Sequence, residues 1–236
     1  MPDDKTVMIA IESLAKTFTL HLRGSVELRV LQAFSMQVET GECVVLRAPS
    51  GTGKSTVLRS VSGNYRIGGG RVAVRHEGEM VDLSAASPRT VMEIRRNTIG
   101  YVSQFLRVIP RVSALDVVAE PLMARGVPTD EARERAGTML GRLHIPAKMW
   151  DLPPATFSGG EQQRVNIARV LAVDYPILLL DEPTASLDDA NRALVLDLVR
   201  EARERGAAIL AILHDEASRA AVATRYVDLA PLEAAA

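Results

Sequence analysis

The chain has a single cysteine, no excess of either charge and no apolar run long enough to cross a bilayer. Each shortage excludes something. Cys43 alone rules out an intrachain disulfide framework and suits a reducing compartment; set in an apolar stretch, it reads as a small buried hydrophobe. Lysine and arginine total 28 against 29 acids, so no global field draws the chain to nucleic acid or to an anionic membrane surface. Apolar runs such as Ala207 to Leu213 fall far short of the roughly 20 residues a spanning helix needs. Met1 to Lys5 is polar and gives no signal region. The expectation is a cytoplasmic protein without direct membrane insertion, which at a membrane would dock on a partner that spans it. A chain of 236 residues can bury a sizeable core, as one α/β unit or as a core with a smaller lobe.

What the chain does have is an apolar run, Cys43 to Leu46, then Arg47-Ala48-Pro49-Ser50-Gly51-Thr52-Gly53-Lys54-Ser55-Thr56, then a helix-compatible stretch. That is a strand, a glycine-bearing loop and a helix start. Glycines let several backbone N–H groups point at one anion, and the helix N-terminus adds donors and partial positive charge. The loop therefore reads as a phosphate cradle, with Lys54 reaching the β- and γ-phosphates and the Ser55 hydroxyl ligating Mg²⁺. The pattern G-x-x-x-x-G-K-[ST] departs at its first glycine, which is Ala48 here. If that position needs a positive φ, alanine costs roughly 0.5–1 kcal/mol, a tolerable departure.

Along the chain, Val7 to Ile11 and Leu14 to Leu20 read as strand segments, and Phe18 is either an adenine-stacking ring or an ordinary core residue. Ala33 to Glu39 alternates, and Thr40-Gly41-Glu42 reads as the turn of an antiparallel hairpin into the phosphate-loop strand. Gly68-Gly69-Gly70 reads as a turn before the strand Arg71 to His76, with His76 solvated. A hairpin and loop over Glu77 to Ser87, a short helix over Pro88 to Arg96 and a strand from Ile99 ending at Gln104 follow. Gln104 can offer a carbonyl to Mg²⁺ or bond an attacking water. Ser113 and Thr129 open two helices, the second with a cap, and Ile145 to Ala155 is proline-rich and holds the only tryptophan, Trp150. This stretch reads as a second, smaller lobe.

Ser158-Gly159-Gly160 opens another helix, a second potential anion site about a hundred residues from the first. Ile177 to Asp181 is a buried parallel-type strand ending in two acids, where α/β sheets place their ligands. Asp181 can hold the Mg²⁺ shell and Glu182 can take a proton from a water attacking the γ-phosphate. The strand Ala207 to Leu213 ends at His214, either a γ-phosphate contact or a structural residue.

These residues resemble, in order and spacing, the ATP-binding-cassette (ABC) ATPases. Ala48 to Thr56 resembles the Walker A loop, Gln104 the Q-loop, Phe157 to Gln163 the signature, Leu178 to Glu182 the Walker B strand, Ser186 to Asp188 the D-loop and His214 the switch histidine. The resemblance covers essentially the whole chain. It implies an α/β fold, a P-loop NTPase with a RecA-like mixed sheet core, an antiparallel β subdomain and a helical subdomain over about residues 106–172. It implies ATP and Mg²⁺ as cofactors and a head-to-tail homodimer, in which ATP on Lys54 and Ser55 of one subunit is closed over by Ser158, Gly159 and Gly160 of the other. Phe18 becomes the adenine-stacking ring. Ser50, Gly51, Thr52, Gly53 and Thr56 join the phosphate site; Ser55, Gln104 and Asp181 hold the metal; Glu182 and His214 are catalytic. Phe157 and Glu161 depart from the common leucine and glutamine, and neither is expected to touch Ser158.

A narrower likeness rests on Tyr101 to Arg111, Asn64-Tyr65, Thr156 to Arg169, Asp174-Tyr175-Pro176 and His214 to Ala217. These stretches resemble the L subunit of the bacterial carbon-phosphorus lyase system. That resemblance implies soluble lyase core subunits as partners and phosphonate catabolism as the setting, at the step that joins methylphosphonate to the ribose of ATP with loss of adenine. The alternative is the ATPase of a lipoprotein-release or macrolide-export transporter, whose motifs are very similar; the discriminating segment is Phe105 to Leu122. A third reading, a nucleotide-dependent clamp without turnover, is disfavoured by Glu182 and His214.

Overall fold

A computed structural model describes residues 6–20, 26–104 and 110–230. Phe105 to Ile109, the start of the discriminating segment Phe105 to Leu122, and the N-terminal Met1 to Lys5 lie outside the described residues.

Two sheets organise the chain. Strands β1 (Val7–Leu20), β2 (Val26–Glu39), β4 (Gly69–His76) and β5 (Glu79–Asp82) form an antiparallel sheet in the order β2-β1-β4-β5. Strands β3 (Cys43–Arg47), β6 (Ile99–Val102), β7 (Ile177–Asp181), β8 (Ala208–Ile212) and β9 (Arg225–Asp228) form a parallel sheet in the order β6-β7-β8-β3-β9. The second sheet follows from composition: β7 and β8 are buried at every position, which only strands covered on both faces can be. Their residues alternate between two apolar clusters. Cys43, Val45, Leu178, Leu180, Ile209 and Ala211 face one side. Val44, Leu46, Ile177, Leu179, Leu210 and Ile212 face the other. The period of two puts successive side chains on opposite faces, so one strand serves both cores.

The first cluster is covered by α3 (Ala114–Met123), α4 (Thr129–Arg142), α5 (Gly159–Leu171) and α6 (Asp189–Glu204). The second lies under α1 (Lys54–Val61), α2 (Pro88–Asn97) and the antiparallel sheet. A short α7 (Glu216–Val222) leads to β9. Trp150 closes the helical side: its ring packs on Gly137 of α4, where a Cβ would sit 2.8 Å from it, and its Nε1 donates to the Ile145 carbonyl (2.9 Å). Burial pushes the Cys43 thiol up to about 12, so it stays a protonated hydrophobe.

Several expectations are corrected. The turn at Thr40 to Glu42 does not make a hairpin with β3: β2 pairs with β1, and β3 lies parallel between β8 and β9 in the other sheet. The buried apolar run Cys43 to Leu46 of β3 fits a doubly covered position and not an edge pairing. The two segments of β1 are one strand, interrupted at Ser13, whose φ is 49°. Gly69 and Gly70 are not a turn but the start of β4, opposite that irregularity. His76 is not solvated; its Nδ1 lies 2.6 Å from Thr98 Oγ1 beside the end of α2. The second insert helix lacks the expected side-chain cap: Pro128 occupies the cap position, and Asp130 and Glu131 in the first turn meet the helix dipole instead.

Candidate functional site

Four parallel strands end on one edge, and their C-terminal extensions carry the residues singled out in the sequence. β3 runs into the phosphate loop, which opens α1. Gly53, at φ 99°, is the cap of α1 and makes no side-chain cap bond, and the first turn holds no acid. The helix therefore presents N–H donors without an internal acceptor, which is what an anion requires. Gly53 is fixed sterically as well: a Cβ there would lie 2.7 Å from Val30 Cγ1 of β2. Ala48 is not among the residues with left-handed backbone, so the departure from glycine carries no φ penalty. Lys54 Nζ donates to the carbonyls of Ala48 (2.7 Å) and Pro49 (2.9 Å), and Thr52 donates to Pro49.

β7 supplies the acids. Asp181 is buried, and both its carboxylate oxygens accept hydrogen bonds: Oδ1 from Ser55 Oγ (2.9 Å) and Oδ2 from the Tyr101 hydroxyl (2.9 Å). Glu182 has φ 52°, an uncommon backbone for a residue with a Cβ and of a kind that clusters at functional sites. Its N–H donates to Ile212 of β8 (3.0 Å), and its Oε2 accepts from Gln104 Nε2 (3.4 Å). Asp181 pairs with Ile212 at the end of β8, so His214 follows two residues beyond that pair, past Leu213, and is exposed. Ser55, Asp181, Gln104 and Glu182 are thus brought together. The hydroxyl of Ser55 beside the Asp181 carboxylate makes an all-oxygen donor set suited to Mg²⁺, which keeps several waters and phosphate oxygens as its other ligands. No cluster of three or more His, Cys, Asp or Glu side chains exists among the described residues, as such a site would need none.

Ser158, Gly159 and Gly160 lie at the start of α5, beside the Ser186 carbonyl, which a Cβ on Gly160 would meet at 3.2 Å. They make no hydrogen bond to the phosphate loop among the described residues. Contrary to expectation, Glu161 does touch Ser158: its Oε2 accepts from the Ser158 N–H (2.8 Å) and hydroxyl (2.7 Å) in a complete capping box. The Ser158 hydroxyl, foremost, holds the Glu161 carboxyl below the usual range. Phe18 does not stand alone. Its ring meets Tyr65 edge to face at 5.3 Å, with Lys16 Nζ 5.0 Å from its centroid, and Arg59 of α1 donates to the Tyr65 hydroxyl (2.9 Å).

Some site residues were not singled out in the sequence. Gln163 and Asn166 of α5 are buried, and both donate to the Ser103 carbonyl, at 3.3 and 2.8 Å; Gln163 also donates to Pro183 (3.1 Å). Buried amides must find acceptors, so polar residues on an otherwise apolar helix face were the available signal. Tyr101 is another, a phenol in a buried strand. Burial, foremost, raises its pKa, which keeps it a donor. Its ring lines a cleft of about 880 Å³ together with Arg59, Arg95, Arg96, Tyr65 and Tyr175.

A doubly wound sheet with a phosphate loop at its first parallel strand and two acids at the end of a neighbour defines a P-loop nucleoside triphosphatase fold. The comparisons narrow this. The family described as ABC transporter matches residues 31–185. The chain is 38% identical over 202 residues to the lipoprotein-releasing system ATP-binding protein LolD of Hyphomonas neptunium, covering 85% of this chain and 84% of that protein. It is 34% identical over 206 residues to the macrolide export ATP-binding/permease protein MacB of the same organism, covering 87% of this chain but 31% of that longer protein. Among solved structures, an ATP-binding cassette in a dimeric post-hydrolysis state bound to ADP and Pi matches with a TM-score of 0.85, 29% identity and 94% coverage of both chains. A dimeric bacterial ABC transporter cassette matches with a TM-score of 0.86, 28% identity and coverage of 96% and 97%. The chain belongs to the ABC transporter ATP-binding family. The relatives lend no support to the narrower likeness to the carbon-phosphorus lyase L subunit; they fit the lipoprotein-release and macrolide-export alternative.

Proposed function

We propose that this protein hydrolyses ATP in a head-to-tail dimer and uses the closing and opening of that dimer to drive a partner assembly. The observation that carries the reading is the joined set at the strand ends: Ser55 on Asp181, and Gln104 on Glu182. In this reading Ser50, Gly51, Thr52, Gly53, Lys54 and Thr56 bind the phosphates, and Phe18, with Tyr65 beside it, offers the adenine a ring. Ser55, Asp181 and Gln104 hold Mg²⁺, which when bound neutralises charge on the phosphate oxygens. Glu182 accepts the proton of the water as its oxygen bonds to the γ-phosphorus and the bond to the β-γ bridging oxygen breaks. His214 contacts the γ-phosphate. The stretch of about residues 106–172 acts as a helical subdomain that brings Ser158, Gly159 and Gly160 to the partner's nucleotide, and the protein works on the cytoplasmic side. Support for the dimer comes from the solved cassettes, which are dimers.

Glu161 tunes that closure. A carboxylate bonded to Ser158 opposes an incoming γ-phosphate and competes for the same hydroxyl and N–H. Glu161→Gln is expected to increase the ATP-held dimer several-fold at a given nucleotide concentration, read by size-exclusion chromatography with light scattering. An unchanged or smaller dimer fraction would count against this role.

Two partner classes remain, each with its own support. The transporter relatives favour a membrane permease of the lipoprotein-release or macrolide-export kind. The sequence stretches 101–111 and 156–169 favour soluble carbon-phosphorus lyase subunits and phosphonate catabolism. The test is to tag the protein in its native host, grow the cells under phosphate limitation on a phosphonate, and identify what co-purifies. Lyase subunits from the soluble fraction establish the phosphonate setting. A polytopic permease recovered only from detergent-solubilised membranes establishes the transporter.

A further inference from the structure

We infer that Tyr101 is a positioning residue for the metal site, its hydroxyl holding the Asp181 carboxylate in the orientation that Mg²⁺ requires. The inference rests on the assignment of Asp181 to the metal under Proposed function.

The geometry is specific. β6 and β7 are paired in parallel register, with Tyr101 opposite Leu179 and Val102 opposite Leu180. Tyr101 reaches two residues along its neighbour, so that its hydroxyl donates to Asp181 Oδ2 at 2.9 Å. Ser55 Oγ donates to Oδ1, also at 2.9 Å. A carboxylate bonded at one oxygen can still rotate about its Cβ–Cγ axis; bonded at both oxygens, it is held. Ser55 is itself a proposed ligand: its oxygen can offer a lone pair to the cation while its hydrogen stays on Asp181 Oδ1. Tyr101 is no ligand and keeps its bond throughout. It holds the second carboxylate oxygen, which Ser55 does not reach. Groups that orient a ligand in this way typically change metal affinity by about 10–100-fold when removed. Space filling does not account for the hydroxyl, because a phenylalanine would fill the same ring volume between the sheet and the arginine-lined cleft.

The test compares wild type, Tyr101→Phe and Asp181→Asn in the full chain. Mn²⁺ affinity is titrated by electron paramagnetic resonance with a non-hydrolysable ATP analogue present. Nucleotide affinity in EDTA and the thermal midpoint are measured alongside. Tyr101→Phe is expected to weaken Mn²⁺ about 10-fold, with metal-free nucleotide affinity and midpoint close to wild type. If Asp181→Asn weakens Mn²⁺ and Tyr101→Phe does not, the inference is overturned and the metal assignment stands. If Asp181→Asn leaves Mn²⁺ affinity intact, the metal assignment falls and takes the inference with it. A Tyr101→Phe protein that loses metal-free nucleotide affinity in equal measure assigns the tyrosine to packing and also overturns it.

Discussion

Glu182→Gln is expected to lower ATP turnover by about 10²–10⁴-fold, the range over which a positioned general base contributes. The substitution keeps the shape of the side chain, and its amide can still meet Gln104, so little is lost but the capacity to take a proton. Nucleotide binding should survive because the phosphate loop and Asp181 are untouched. The ATP-bound dimer then has no exit by hydrolysis and should accumulate. Phosphate release gives the rate and light scattering gives the dimer; a variant that hydrolyses ATP at the wild-type rate removes Glu182 from the base position. The backbone at Glu182 sharpens the test. A residue at φ 52° is held there by its surroundings, and here the N–H bond to Ile212 supplies part of the restraint.

The largest stability effect is expected at Gly70. Its φ is 76°, and a Cβ would lie 2.2 Å from the Ser13 carbonyl oxygen and 2.4 Å from that of Glu12. The obstacle is backbone, so no side chain can swing away. Gly70→Ala combines left-handed strain with overpacking, each worth about 1–3 kcal/mol, for a total of roughly 2–6 kcal/mol. At about 2–4 °C per kcal/mol for a chain of this size, the thermal midpoint should fall by roughly 4–24 °C. Gly78→Ala provides the contrast, since its φ is also positive, at 87°, but nothing lies within 4 Å of the added atom. If the two variants melt together, the contact with Ser13 is not what makes Gly70 necessary.

Gly70 also shows why part of the fold was illegible in the sequence. Continuous apolar runs such as Ile177 to Leu180 announce buried parallel strands, because nothing else buries every side chain. Strand pairing in the antiparallel sheet depends instead on irregularities. Ser13 and Ala33, both at positive φ, break the alternation that would fix the register, and three glycines in a row resemble a turn. At the site, residues that contribute by type and spacing, such as Lys54, Ser55, Asp181 and Glu182, stood out. Residues that contribute by reach did not: Tyr101, Gln163 and Asn166 meet their partners across 80, 60 and 63 positions of chain. Glu161 was misread for the opposite reason. Its partner is three residues away, in a pattern that announces a helix cap, and the cap is also the proposed nucleotide contact.

The Ser103 carbonyl acts as a pivot pin. Two amides of α5 grip it, and the next residue, Gln104, rests against Glu182. A rigid rod pinned near its front end cannot turn without dragging the pin. In the proposed dimer the front of that rod is Ser158 to Gly160, seated on the partner's ATP. In that proposed dimer, nucleotide arriving in one active site would press on the rod that grips Ser103, beside the glutamine that meets the base of the other, so a single peptide oxygen would link the two halves.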